Sequence, residues 1–129
     1  MLIKSCYLVI FFSLFIGCSN NTPPTPTETV SSYIKYLIEG NGKECWELSS
    51  EQTQNTFLKI TTKEKAIKSI VDSKHNFSKI NSWEITKETI YSNSANVNIK
   101  VQIKNGKKTE ESLSTLILIK ENNFWKINQ

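Results

Sequence analysis

Residues 95–108 read ANVNIKVQIKNGKK, and the fold turns on them. From Ala95 to Ile103 every second residue is apolar: Ala95, Val97, Ile99, Val101 and Ile103 alternate with Asn96, Asn98, Lys100 and Gln102. A period of two puts the two sets on opposite faces of a strand, so one face is expected to meet a core and the other water. Asn105-Gly106 tolerates positive φ and predicts a tight antiparallel hairpin. The returning strand is expected over Lys107 to Lys120. Its run LILI, 116–119, is continuously apolar, which predicts a central strand end covered on both faces. Upstream, Ile80 to Ile90 forms a strand region with Trp83 and Ile85 on one face, and SNS at 92–94 turns the chain. Downstream, Glu121-Asn122-Asn123 turns again and FWKIN closes a sheet of about four antiparallel strands.

The residues before this sheet carry the helical period. Thr25-Pro26-Thr27-Glu28 combines an N-cap threonine, proline at N1 and glutamate at N3, the capping-box arrangement. Val30, Ile34, Leu37 and Ile38 then share a face, with Tyr33 beside it, and Gly40 stops the helix. KECWEL, 43–48, reads as a short helix. Ser49-Ser50 caps a turn or two through Leu58. Thr61 with Glu64 repeats the capping-box spacing and opens a helix to about His75, with Ala66, Ile67, Ile70 and Val71 on one face. Helices followed by an antiparallel meander predict an α+β fold, with N-terminal helices packed on one face of a curved sheet.

The first 25 residues have a different character. Lys4 precedes SCYLVIFFSLFI, 5–16, an uncharged and mostly apolar stretch. Twelve helical residues extend about 18 Å, short of the roughly 30 Å hydrocarbon core, so this is a signal-peptide h-region and not a span. Phe15-Ile16-Gly17-Cys18 resembles the lipobox of bacterial lipoproteins, with Phe15 where that pattern prefers leucine. The resemblance implies cleavage between Gly17 and Cys18, a diacylglyceryl group on the Cys18 thiol and acylation of the new amine. Several acyl chains give stable anchoring where one does not. Ser19 to Thr25 is a polar, proline-containing tether reaching about 20 Å when extended. The expected organisation is thus a signal peptide over 1–17, acylated cysteine and tether over 18–25, and a folded domain over 26–129. Membrane lipid is the first expected partner, and the domain is placed outside the cytoplasm on the cell membrane or outer membrane.

Composition narrows the function classes. The 129 residues suffice for one domain, and the formal charge is +4, from 16 basic and 12 acidic residues. Every basic residue is lysine, so the bidentate fork that grips phosphate is missing. With the charge dispersed and an export signal present, nucleic acid is not an expected partner. Of three cysteines, Cys6 leaves with the signal, Cys18 takes lipid, and Cys45 remains without an intrachain disulfide partner. One His and one Cys, without paired spacing, cannot close a tetrahedral metal site, and no cofactor is implied. Cys45, Asp72 and His75 are the conceivable catalytic set, since Asp72 and His75 stand at i and i+3. The inward strand positions hold no convergent acid or base, so the sequence argues against an enzyme.

TPTETVSSYIKYLIEGNGKECWELSS resembles the opening helices of nuclear-transport-factor-2-like (cystatin-like) domains, and ESLSTLILIKENNFWKIN resembles their last two strands. The chain is similar to small bacterial lipoproteins carrying domain of unknown function 4878. That resemblance implies a cone-shaped α+β fold over about residues 26–128 and leaves function open. Tyr33, Trp46 and Trp83 are the aromatics that could line a cone pocket. Three readings follow: a non-catalytic binding or scaffold module for an envelope protein, a carrier of a small hydrophobic ligand, and, third, a small pocket enzyme.

Overall fold

The computed structural model describes residues 22–129. Cys18 and Gly17, with the expected signal and most of the tether, lie outside the described residues. Among the described residues, α1 (Pro26–Glu39), α2 (Gly42–Leu48), α3 (Glu51–Leu58), α4 (Lys63–Asp72) and the single turn α5 (Lys74–Phe77) precede β1 (Ile80–Ile90), β2 (Ser94–Asn105), β3 (Lys108–Glu121) and β4 (Phe124–Ile127). The strands form one antiparallel sheet in the order β1-β2-β3-β4.

The helix starts follow from their caps. Thr25 Oγ1 accepts the Glu28 N–H, and a Glu28 carboxylate oxygen accepts the Thr25 N–H, so both arms of the capping box are made. Gly40 ends α1 at φ +76°, a conformation that costs a side-chain-bearing residue dearly. Ser50 caps α3 through the Thr53 N–H. At α4 the cap falls one residue later than the Thr61–Glu64 spacing predicts: Thr62 Oγ1 accepts from the Lys65 N–H, and Glu64 sits in the first turn instead. Adjacent threonines offer two caps, and the one chosen buries Ala66 against the fold. The helix also stops at Asp72, and His75 belongs to the separate turn α5.

The alternation of β2 survives intact. Ala95, Val97, Ile99 and Val101 are buried, Ile103 is half-buried, and they pack with Val30, Tyr33 and Ile34 of α1, Cys45 of α2 and Trp125 and Ile127 of β4. The described core lies wholly between Pro26 and Ile127. Two sequence expectations about the strands are corrected. Asn105 pairs with Lys108, so Gly106 and Lys107 are the turn residues, with φ +62° at Gly106; asparagine closes the ladder and glycine takes the strained first position. The run 116–119 is central, between β2 and β4, but covered on one face only. Leu118 is fully buried while Ile117 is 49% exposed, because the helices cover only the concave side. At the last hairpin Asn122 and Asn123 both take positive φ, 49° and 68°, as a type I′ turn requires.

Candidate ligand cavity

The concave side of the sheet is not filled. Ile99 and Val101 pair across the β2–β3 ladder with Ser114 and Ser112, so large inward side chains face small ones. Farther along β3, at the same parity, Leu116 and Leu118 restore the volume. The helices bridge the shortfall and leave a cavity of about 690 Å³. Tyr33, Ile34 and Leu37 of α1 form one wall at helical spacing, and Ile99, Val101 and Ile103 form another at strand spacing. Trp46 and Phe57 stand together, with ring centroids 6.4 Å apart and planes tilted by 56°. Ile70 and Phe77 close the side given by α4 and α5.

Side chains on the wall are neutral. Among the described residues lining the cavity, no side chain carries a formal charge. Tyr33 is the titratable one, and burial, with Cys45 nearby, pushes its hydroxyl up to about 12 despite the hydrogen bond from Gln129. It therefore stays protonated at neutral pH. Gln129 Nε2 donates to Tyr33 Oη at 3.5 Å, and the Gln129 N–H donates to Thr53 Oγ1 at 2.9 Å. Ser49 and Ser73 donate to the carbonyls of Cys45 and Ile70 at 2.9 and 2.7 Å. Buried side-chain polar atoms among the described residues all have partners.

Of the aromatics expected at a pocket, Tyr33 and Trp46 stand on this wall and Trp83 does not. Trp83 pairs with Val101 from the edge strand and lies in a shallow groove with Ser31, Lys35 and Ile38 of α1. Its strand is outermost, so α1 itself separates it from the cavity. Trp125 is buried in the core, with Lys120 Nζ 5.5 Å from its ring centroid. Cys45 is fully buried, its Sγ donating to the Tyr33 carbonyl at 3.9 Å, and burial, aided by the Glu44 carboxylate, pushes its thiol up to about 11. Asp72 is exposed and pairs with Lys68 at 2.6 Å, while His75 is exposed on α5. None of the three lines the cavity. No cluster of three His, Cys, Asp or Glu suited to a metal occurs among the described residues.

Sequence reasoning missed Ser112, Ser114, Phe57, Phe77 and Gln129. For the two serines the signal was present: they share the parity of Leu116 and Leu118, which puts them on the helix-facing side of β3, where both remain exposed. Phe57, Phe77 and Gln129 come from three distant elements, and only the fold brings them together.

The layered arrangement of helices on a curved antiparallel sheet is that of nuclear-transport-factor-2-like (NTF2-like) folds among the solved structures. The chain is similar to a Campylobacter jejuni protein provisionally described as an NTF2-like transpeptidase (TM-score 0.59, 17% identity, 82% of this chain and 99% of that one). It is similar also to an NTF2-like protein of unknown function from Shewanella oneidensis MR-1 (TM-score 0.51, 19% identity, 80% and 94%). A de novo designed NTF2 fold protein matches at TM-score 0.53, with 16% identity over 80% of this chain and 81% of the design. At such identities the likeness is one of fold. The family model of the domain of unknown function DUF4878 matches residues 16–128, and the chain belongs to that family. No protein of curated function matches it.

Proposed function

We propose that this protein is a non-catalytic binding module of the bacterial cell envelope, held to a membrane through acylated Cys18, whose cavity receives a small apolar ligand. The cavity wall carries the reading: about 690 Å³, mostly apolar, with no charged side chain among the described lining residues. Pockets of about 300–1,000 Å³ with apolar walls and a few polar groups are the usual form of small-molecule sites. General acid–base or nucleophilic catalysis needs a titratable group poised near the working pH. Tyr33 is held far above it. The transpeptidase description belongs to the Campylobacter protein; here, among the described lining residues, no activating base stands beside the hydroxyls of Ser112 and Ser114.

Two measurements test this. Native mass spectrometry of residues 22–129 purified from a bacterial host is expected to show an added small-molecule mass, released on unfolding. A bare mass, together with failure to take up any apolar probe, would leave only the scaffold role. Metabolic labelling with an alkyne fatty acid is expected to mark the full chain and not its Cys18→Ala variant, which accumulates as uncleaved precursor. Normal cleavage or continued labelling of the variant would refute the anchor.

A further inference from the structure

Resting on the binding role proposed above, we infer that the cavity's ligand is an uncharged amphiphile: an apolar body carrying a hydroxyl, ester or amide that is received by the inward serines of β3. Among the described residues no side chain of the wall offers an ionised ligand group a counter-charge, and a charge taken from water without a partner is strongly disfavoured. The walls around Leu37, Phe57 and Ile70 instead suit hydrocarbon.

Besides Tyr33 and Gln129, which bond each other, Thr115, which donates to Asn98 Oδ1, and the exposed Asn76, the wall's polar groups are hydroxyls of two kinds. Ser49, Thr53 and Ser73 spend their hydroxyls on carbonyls of the fold. Among the described residues Ser112 and Ser114 direct theirs to no protein group; both line the cavity beside Val101 and Ile99 and are exposed, on the stretch of β3 that β4 does not cover. A serine hydroxyl both donates and accepts, which matches a neutral oxygen or amide and gives no preference to an anion. Two adjacent inward positions of one strand therefore form the polar seat, and the apolar walls hold the rest of the molecule.

The test compares ligands of one chain length. Residues 22–129, which hold the whole described core, are loaded with the neutral fluorophore N-phenyl-1-naphthylamine, and decanol, decanoate and decylamine compete for it at pH 7.5. Decanol is expected to displace the probe at concentrations at least about tenfold lower than either ion. Decanoate should gain affinity as the pH falls to about 4, where the carboxylic acid becomes neutral. Ser114→Lys, at an exposed strand position, is expected to reverse the preference toward decanoate, and Ser112→Ala/Ser114→Ala to weaken decanol severalfold while decane competes as before. Equal competition by either ion would overturn the inference yet leave the binding role standing, since the probe itself is bound. Undiminished decanol binding by the double alanine variant would remove the seat from β3. If the probe does not bind and the thermal melt shows a folded domain, the binding role fails together with the inference.

Discussion

Cys45 and Tyr33 are neighbours in the core, and the fold holds both in their neutral forms. Burial is the main cause in each case, lifting the thiol from 9.0 to about 11 and the phenol from 10.0 to about 12. Both folded values lie above the unfolded ones, so the unfolded chain releases these protons first as the pH rises. The stability they contribute is complete below about pH 9 and is lost between roughly pH 9 and 12. Urea midpoints are expected to fall steadily over that window. At pH 8 Cys45 should resist a thiol reagent until denaturant is added, and modification at the unfolded rate in native buffer would contradict this burial. Trp125 tests the core more directly. It is buried on the last strand, and Trp125→Ala is expected to cost about 3–5 kcal/mol, enough to unfold or severely loosen a domain of ordinary stability. Lys126, between Trp125 and Ile127, lies on the opposite face of β4 and is half-buried. Its Nζ donates to the Glu47 carbonyl at 2.6 Å, tying β4 to α2, so Lys126→Ala is expected to cost up to about 1 kcal/mol. Thermal melts of the two variants separate these values.

Among the elements, α2 and α3 are held in different ways. An alanine Cβ at Gly42 would stand 2.7 Å from the Ile67 carbonyl oxygen and 2.8 Å from Val71 Cγ2, so α2 and α4 touch backbone to side chain at this point. Gly42→Ala must push the two helices apart and is expected to destabilise the domain by about 1–3 kcal/mol. A melting temperature equal to the parent's would show that the helix pair yields freely. The start of α3 is fastened by the end of the chain. Ser50 N–H donates to the Ile127 carbonyl at 2.7 Å, and Thr53 exchanges hydrogen bonds with the Gln129 backbone at 2.9 and 3.2 Å. Removing Asn128 and Gln129 is therefore expected to speed amide exchange across α3 and leave β2 protected. Removing Phe124 to Gln129 should be as damaging as Trp125→Ala. Uniformly faster exchange in the shorter deletion would show that the two residues support the whole domain.

At the scale of the molecule, the cavity arises from a mismatch between two strands that are each regular. Ser112 and Ser114 face Val101 and Ile99 where a close-packed core would place larger residues. Interiors normally fill to crystal-like density, so a volume kept open by small residues on the stretch of β3 that β4 does not cover is a feature of the chain's own pattern. Ser114→Trp should occupy it. That variant is expected to melt no lower than the parent and to lose uptake of an apolar probe. Probe binding unchanged by the tryptophan would place the uptake elsewhere on the domain.

Local chemistry determined much of this protein. The capping box at Thr25–Glu28, the stop at Gly40, the alternation from Ala95 to Val101 and the polar turn at Asn122-Asn123 are short-range patterns, each read within a few residues because hydrogen bonds and side-chain periods act over that distance. The α+β architecture follows from their order. Tertiary structure decided which of two threonines caps α4, which face of 116–119 meets the helices and on which side of α1 Trp83 lies. Each of those outcomes depends on packing between segments far apart in the chain. The cavity belongs to the same class. Tyr33, Phe57, Ser114 and Gln129 carry no shared motif, and their meeting is a consequence of strand register and helix placement, which no local pattern encodes.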